Sequence, residues 1–224
     1  MSLQKPYDHA IEFEKGAILP KPAKVYLLSV SERSFLDLWI DEELRKGYIQ
    51  PSTSPIAVPF FFVKKHNGSL CPVMDYRALN GITIKNRYPI PQIADLIESL
   101  SHTSIFTKID LRWGYNNVCI KKGDEWKTVF ITKWGLFEAK VIYFGFSNTP
   151  ATFQSMMNDI LGDLIHIGCI IVYLDDILIF GINKKKHRQL VKEVLKRLQE
   201  NDLYAKAEKC SFEQSSIKYL GVII

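Results

Sequence analysis

The chain has 224 residues, 47% of them hydrophobic and 24% charged, enough to bury a full core as one domain or two closely joined lobes. Its net charge of +5, from 29 Lys and Arg against 24 Asp and Glu, permits a nucleic-acid partner without singling one out. Apolar runs fall far short of the ~20 residues that span a bilayer. The N-terminus, "MSLQKPYDHAIEFEKG", is too polar for a signal peptide, and Cys71, Cys119, Cys169 and Cys210 lack zinc or disulfide spacing. The expectation is an intracellular protein, cytoplasmic or nuclear and not secreted, with no membrane partner.

Residues 1–30, with Pro6, Pro20 and Pro22, read as an extended N-terminal arm. "SERSFLDLWIDEELRKGYI" predicts a helix with Leu36, Ile40 and Leu44 on one face, stopped by Gly47. "PIAVPFFFVKKHNGSLCPVMDY" predicts a hairpin turning at "HNG", and "PQIADLIESL" a short helix with Pro91 at its start. "SIFTKIDLRWGYNNVCI" reads as a strand ending near Asp110, and "KTVFITKWGLFEAKVIYF" as two strands around a turn at Gly135. In "TPATFQSMMNDILGDLI", Thr149 is placed to cap a helix and Pro150 to sit in its first turn. Phe153, Met156, Met157, Ile160, Leu161 and Leu164 give that helix an apolar stripe that reads as core. A strand, an acid pair and another strand follow, then the helix "KHRQLVKEVLKRLQENDL" and the strand-like "SIKYLGVII". Helices and antiparallel strands interleave without a regular β-α-β rhythm, so the fold class is α+β. Basic clusters in "VKKHNG", "IKKGDEWK" and "NKKKHR" read as solvated loops or helix ends unless a polyanion site lies beside them.

"GCIIVYLDDILIF" sets Asp175 and Asp176 side by side in an apolar run. Burying an unpartnered carboxylate costs several kcal/mol, and two neighbours also repel. On a continuous strand the two would face opposite ways, whereas at a hairpin tip both reach one spot. Asp110 also ends an apolar strand, and three such carboxylates together suit a divalent cation. Two cations ~3.5–4 Å apart serve phosphoryl transfer. The same pair is equally good turn chemistry, and the acids alone leave both readings open.

The chain resembles the reverse transcriptase of Ty3/gypsy-type long-terminal-repeat retrotransposons over nearly its whole length. "GYIQPSTSPIAVPFFFVKK", "GSL", "MDYRALNGITIKNRYPIPQI", "FTKIDLRWGYNNV", "FGFSNTPATFQSMMNDIL", "VYLDDILIF" and "KYLG" occur in the family's order. The resemblance implies a right-hand polymerase fold of fingers and palm, with helices packed on an antiparallel palm sheet. Residues 31–104 are then mostly fingers and 105–224 mostly palm, the two interleaving. It further implies templated DNA synthesis on RNA or DNA, with dNTPs, a primer and two Mg²⁺ ions, Mn²⁺ being a substitute. By position Asp110, Asp175 and Asp176 match the catalytic, metal-binding acids, and Leu111 adds a backbone carbonyl. Tyr115 matches the aromatic gate against a 2′-hydroxyl, a specificity device built on repulsion. Lys64 matches a lysine that meets the triphosphate, and Gly145 and Gln154 the segment shaping the nucleotide pocket and template side. Lys206 is the candidate proton donor to pyrophosphate. A different palm enzyme, such as a viral RNA-dependent RNA polymerase or a nucleotide cyclase, fits Tyr115 and "FGFSNTPATFQ" less well.

Three residues depart from the family pattern. Cys71 stands where arginine usually follows "GSL", and a thiol offers a triphosphate essentially nothing. That loss is worth roughly 30- to 1,000-fold in rate. Tyr143 and Phe146 replace the proline and leucine of the "MPFGL" form. The family continues beyond "KYLGVII", its primer-grip region, into thumb, connection, RNase H and integrase segments of a polyprotein. With the thumb absent, weak duplex grip and poor processivity are expected. An alternative reading is a catalytically impaired remnant acting at most as a nucleic-acid-binding module.

Overall fold

Turn chemistry at both ends fixes the first helix. The Ser29 side chain accepts from the Glu32 N–H while the Glu32 carboxylate accepts from the Ser29 N–H at 2.7 Å, and Gly47 closes the other end at φ 72°. The computed structural model describes residues 5, 7–64, 68–93, 96, 100, 103–112 and 114–224. In chain order the elements are α1 (Val30–Lys46), β1 (Ile49–Pro51), β2 (Val58–Lys64), β3 (Leu70–Met74) and α2 (Arg77–Ile82). Then come β4 (Ile105–Asp110), β5 (Phe130–Thr132), β6 (Gly135–Ala139) and α3 (Thr149–His166). β7 (Ile170–Tyr173), β8 (Asp176–Gly181), α4 (Lys184–Glu200), β9 (Ser211–Gln214), β10 (Lys218–Tyr219) and β11 (Val222–Ile223) follow. No helix among the described residues is long and apolar enough to cross a membrane.

The chain divides into two units, residues 1–86 with 118–149 and residues 87–117 with 150–224. The first holds a five-stranded sheet in the order β1-β6-β5-β2-β3, antiparallel except where β2 runs parallel to β5. The expected hairpin is the β2–β3 pair, Phe60 opposite Met74 through Lys64 opposite Leu70; turn residues 65–67 lie outside the described set. Aromatic rings fill this interior, Trp39 lying 5.3 Å from Phe60, 5.9 Å from Phe130 and 6.0 Å from Tyr143 between ring centres. On α1 the buried stripe is Leu36, Trp39, Ile40 and Glu43, and the expected Leu44 is 37% exposed. The helix is turned so that its largest apolar side chain, Trp39, meets those rings, which brings a glutamate inward in place of a leucine. Among its described residues before Val30, where α1 begins, the arm carries no helix or strand. Nevertheless His9 and Ile11 are buried, the Ile11 N–H donating to Asp124 at 2.8 Å.

The second unit holds a four-stranded antiparallel sheet in the order β7-β8-β4-β9. β4 and β8 run in register from Ile105 opposite Gly181 to Asp110 opposite Asp176. Ile109, Ile177, Leu178 and Ile179 are fully buried, and Phe106, Ile171, Phe180, Ile217 and Tyr219 share one apolar cluster with Leu178. α4 lies against β4 and β8, with a His187 ring nitrogen 2.8 Å from the Thr107 hydroxyl. Most of the α3 stripe is core as expected, Phe153, Met156, Met157, Leu161 and Leu164 being buried, while Ile160 is half-buried. Its cap is not as expected. Thr149 is already the first helical residue, and its buried hydroxyl finds no hydrogen-bond partner among the described residues. The short helix expected over 91–100 falls largely outside the described residues.

Candidate active site

β4 delivers Asp110 at its last residue, and the ladder sets Asp176, the first residue of β8, directly opposite. Residues directly opposite in an antiparallel pair share a face, so these two carboxylates stand together. Asp175 precedes Asp176 in the two-residue loop between β7 and β8, since Tyr173 pairs with Asp176. Of the two loop residues only Leu174 has positive φ, at 55°. Glycine is favoured at the first loop position with that signature. A leucine there costs about 1–2 kcal/mol. The acid pair is therefore split between loop and strand, where the sequence suggested a tip holding both.

Backbone bonds bind these ends together. The Leu111 N–H donates to the Asp175 carbonyl at 3.0 Å and the Lys206 N–H to the Asp110 carbonyl at 2.8 Å. A Cβ on Gly114 would lie 3.3 Å from Asp175 Cβ and 3.2 Å from the Phe153 ring, so this approach suits glycine. Two lysines answer the negative charge. Lys108 Nζ is 2.8 Å from Asp176 Oδ1, and Lys209 Nζ is 3.5 Å from Asp110 Oδ2. The Lys108 contact lies off the hydrogen-bond direction, because Asp176 Oδ1 is buried without a hydrogen-bond partner among the described residues. Burial, joined by the charges of Asp176 and Asp110, holds the Asp175 carboxyl above the usual carboxylate range, against the pull of Lys209.

A divalent cation fits this donor set in kind: clustered carboxylates that repel, one with an unsatisfied buried oxygen. Among the described residues no three His, Cys, Asp or Glu side chains form a ready cage.

Tyr115, in the one-turn helix Gly114–Asn117, sets its ring edge-on to Phe153 at 5.3 Å. Burial and the nearby Asp175 charge push its phenol up. Gln154 is fully buried, with its amide engaged by the chain itself. Lys206 reaches the acids through its backbone, while its ammonium lies 3.9 Å from Glu208. Asp110, Leu111, Tyr115, Gln154, Asp175, Asp176 and Lys206 thus belong to the second unit, and Lys64 and Gly145 to the first. Lys64 ends β2 and is exposed. Gly145, at φ 118°, approaches so closely that a Cβ would lie 3.2 Å from the Met74 carbonyl oxygen and from the Tyr76 ring. Cys71 faces Val63 across the β2–β3 pair and makes one weak contact, 3.8 Å to the Pro72 carbonyl.

Sequence reasoning passed over Lys108, Lys209 and Gly114. Lys108 was signalled by period two, since it shares the Asp110 face of β4; Lys209 and Gly114 carry no comparable signal. Residues Tyr143 and Phe146 are well seated. The Tyr143 hydroxyl donates to the buried Glu43, and Phe146 stacks on Tyr76 at 3.8 Å.

Residues 63–224 match the family described as reverse transcriptase (RNA-dependent DNA polymerase). The chain belongs to the reverse transcriptase family. Curated relatives of this reverse transcriptase chain include the Transposon Tf2-3 and Tf2-7 polyproteins of Schizosaccharomyces pombe. Each is 37% identical over 202 residues, covering 89% of this chain and 15% of the relative. The chain thus spans about 15% of the length of the relatives it matches. Among solved structures, the foamy viral protease-reverse transcriptase with an RNA/DNA hybrid superposes at TM-score 0.85 and 24% identity. The superposition covers 95% of this chain and 28% of that one. The same viral protein with dsDNA gives TM-score 0.81 and 25% identity over 97% of this chain and 43% of that one. The reverse transcriptase fold is shared throughout.

Proposed function

We propose that the chain is the polymerase part of a retrotransposon reverse transcriptase, adding dNTPs to a primer 3′-hydroxyl on an RNA or DNA template. The observation that carries this is the meeting of Asp110, Asp175 and Asp176 at one end of an antiparallel sheet in a chain of this family. The Tf2 relatives, named as transposon polyproteins, support the retrotransposon setting, and the foamy viral complexes with RNA/DNA hybrid and dsDNA support a duplex partner. In this reading residues 1–30 form an arm, 31–104 are mostly fingers and 105–224 mostly palm, within a longer intracellular polyprotein.

Asp110 and Asp175, with the Leu111 carbonyl, would hold two Mg²⁺ ions, and Asp176 would assist. Bound there, the ions would neutralise charge at the triphosphate and make the primer hydroxyl more acidic. Burial and the charges of Asp176 and Asp110 hold Asp175 above its ordinary pKa, so a cation bound there would relieve that repulsion. Tyr115, backed by Phe153, walls the sugar and clashes with a 2′-hydroxyl. Lys64 meets the triphosphate, Gly145 lets the pocket segment pass close to the backbone, and Lys206 delivers a proton toward pyrophosphate.

Cys71 favours a second reading, an impaired remnant that binds nucleic acid without extending it. Primer extension on RNA with Mg²⁺ separates the two, run on the chain, Cys71→Arg and Asp175→Asn. Extension by the chain and loss of about 10²–10³-fold or more in Asp175→Asn supports the polymerase. Extension only by Cys71→Arg marks a polymerase damaged at triphosphate binding. No extension by any of them, with duplex still bound, leaves the remnant.

A further inference from the structure

We propose that Gln154 is a positioning residue: its buried side chain clamps the Leu174–Asp175 loop and so fixes where the Asp175 carboxylate stands. This rests on the polymerase reading for its consequence, though not for its geometry.

Gln154 is fully buried, and each end of its amide meets the loop or its strand. Its Oε1 accepts from the Leu174 N–H at 3.0 Å, and its Nε2 donates to the Val172 carbonyl at 3.1 Å. The two bonds bracket Tyr173, on the strand side of the loop. The amide's sense is set from behind. Nε2 also donates to Asn158 Oδ1 at 3.0 Å, and Asn158 Nδ2 in turn donates to the Tyr88 hydroxyl at 2.7 Å. With both Nε2 hydrogens placed, Oε1 is left facing Leu174.

The clamp grips the residue least able to hold its own shape. Leu174 sits at φ 55°, where a leucine is strained and a glycine is not. Such a conformation persists only where its surroundings over-determine it. Gln154 also follows Phe153, whose ring bounds the space beside Asp175 that Gly114 leaves open. A nucleotide-contacting role asks for the same amide to face outward, and the bonds to Leu174, Val172 and Asn158 engage it inside.

The test uses the whole chain with Mn²⁺ alone as the metal probe, then dNTP kinetics. Gln154→Leu is expected to speed amide exchange at Leu174 at least about tenfold. Mn²⁺ binding should weaken by about 10- to 100-fold, as for other residues that orient metal ligands. In extension, kcat should fall while KM for dNTP stays within about threefold. Adding Leu174→Gly should restore Mn²⁺ binding, because glycine holds the left-handed loop without a clamp. A raised KM with Mn²⁺ binding unchanged, or no rescue by Leu174→Gly, overturns the proposal. If Gln154→Leu does not fold, Asn158→Ala removes the orienting partner instead; Leu174 exchange then rises or the proposal fails. Exchange is read without primer or template. A chain that never extends a primer yet loses Leu174 protection in Gln154→Leu defeats the polymerase reading and leaves the clamp standing.

Discussion

Residues 1–86 with 118–149 bury Glu43, whereas residues 87–117 with 150–224 hold Asp110, Asp175 and Asp176 only half-buried, and the terms differ. Glu43 lies among aromatic rings with the Tyr143 hydroxyl donating to it and Lys46 Nζ at 3.0 Å. Asp176 keeps a buried oxygen without a hydrogen bond among the described residues, and Asp175 is held up by burial and two neighbouring acids. The first acid takes hydrogen bonds from its own fold; in the second pair Asp176 Oδ1 is met by the Lys108 charge at 2.8 Å but by no hydrogen bond among the described residues. A hydrogen-bonded buried charge supports structure, whereas crowded acids with an oxygen left without a hydrogen bond are where a bound cation would add most.

Four measurements press on this contrast. Trp39→Ala should cost about 3–5 kcal/mol, since it empties the aromatic centre of the first unit; urea unfolding followed by circular dichroism reads it. A loss under about 1 kcal/mol would show that the rings there are dispensable. Acid should come next. Burial pulls His9 down to about 4 from 6.5, with the Asp124 charge opposing. The unfolded chain therefore takes up the proton first, so stability is whole above pH 6.5 and falls as pH drops toward 4. By pH 5 the loss is about 2 kcal/mol, and His9→Leu should remove that part of the slope.

Tyr143→Phe should cost about 1–3 kcal/mol by stripping Glu43 of its donor, and Glu43→Gln in the same chain should recover part of it. If Tyr143→Phe alone is neutral, Glu43 is not the satisfied acid described. The smallest effect is expected at Asp175→Asn, where melting should be unchanged or rise slightly because a repelling charge is gone. A clear drop in Tm there would erase the distinction between the two units.

Local signals were the readable ones. Gly47 marked the end of α1, period two carried β4 to Asp110, and apolar runs on either side of "LDD" marked the hairpin. What escaped depends on partners distant in sequence. Glu43 replaces Leu44 on the buried face because Tyr143, 100 residues away, supplies its hydrogen bond. The parallel β2–β5 pair joins strands on either side of β4, and no periodicity encodes that. Resemblance placed Gln154 near the nucleotide, but its bonds to Val172 and Leu174 follow from how α3 meets the hairpin.

The matched run of pairs between β4 and β8 works as a ruler for the acids. Side chains alternate faces along a strand, so inserting or deleting one residue within either strand would send Asp110 and Asp176 to opposite sides of the sheet. A change of two residues would restore the side but offset the carboxylates by about 6.6 Å along the strand, beyond the span of a shared cation. Length variation among copies of such a chain is therefore filtered unevenly, silencing within these strands and in the short turns that carry Asp175 and Gly114.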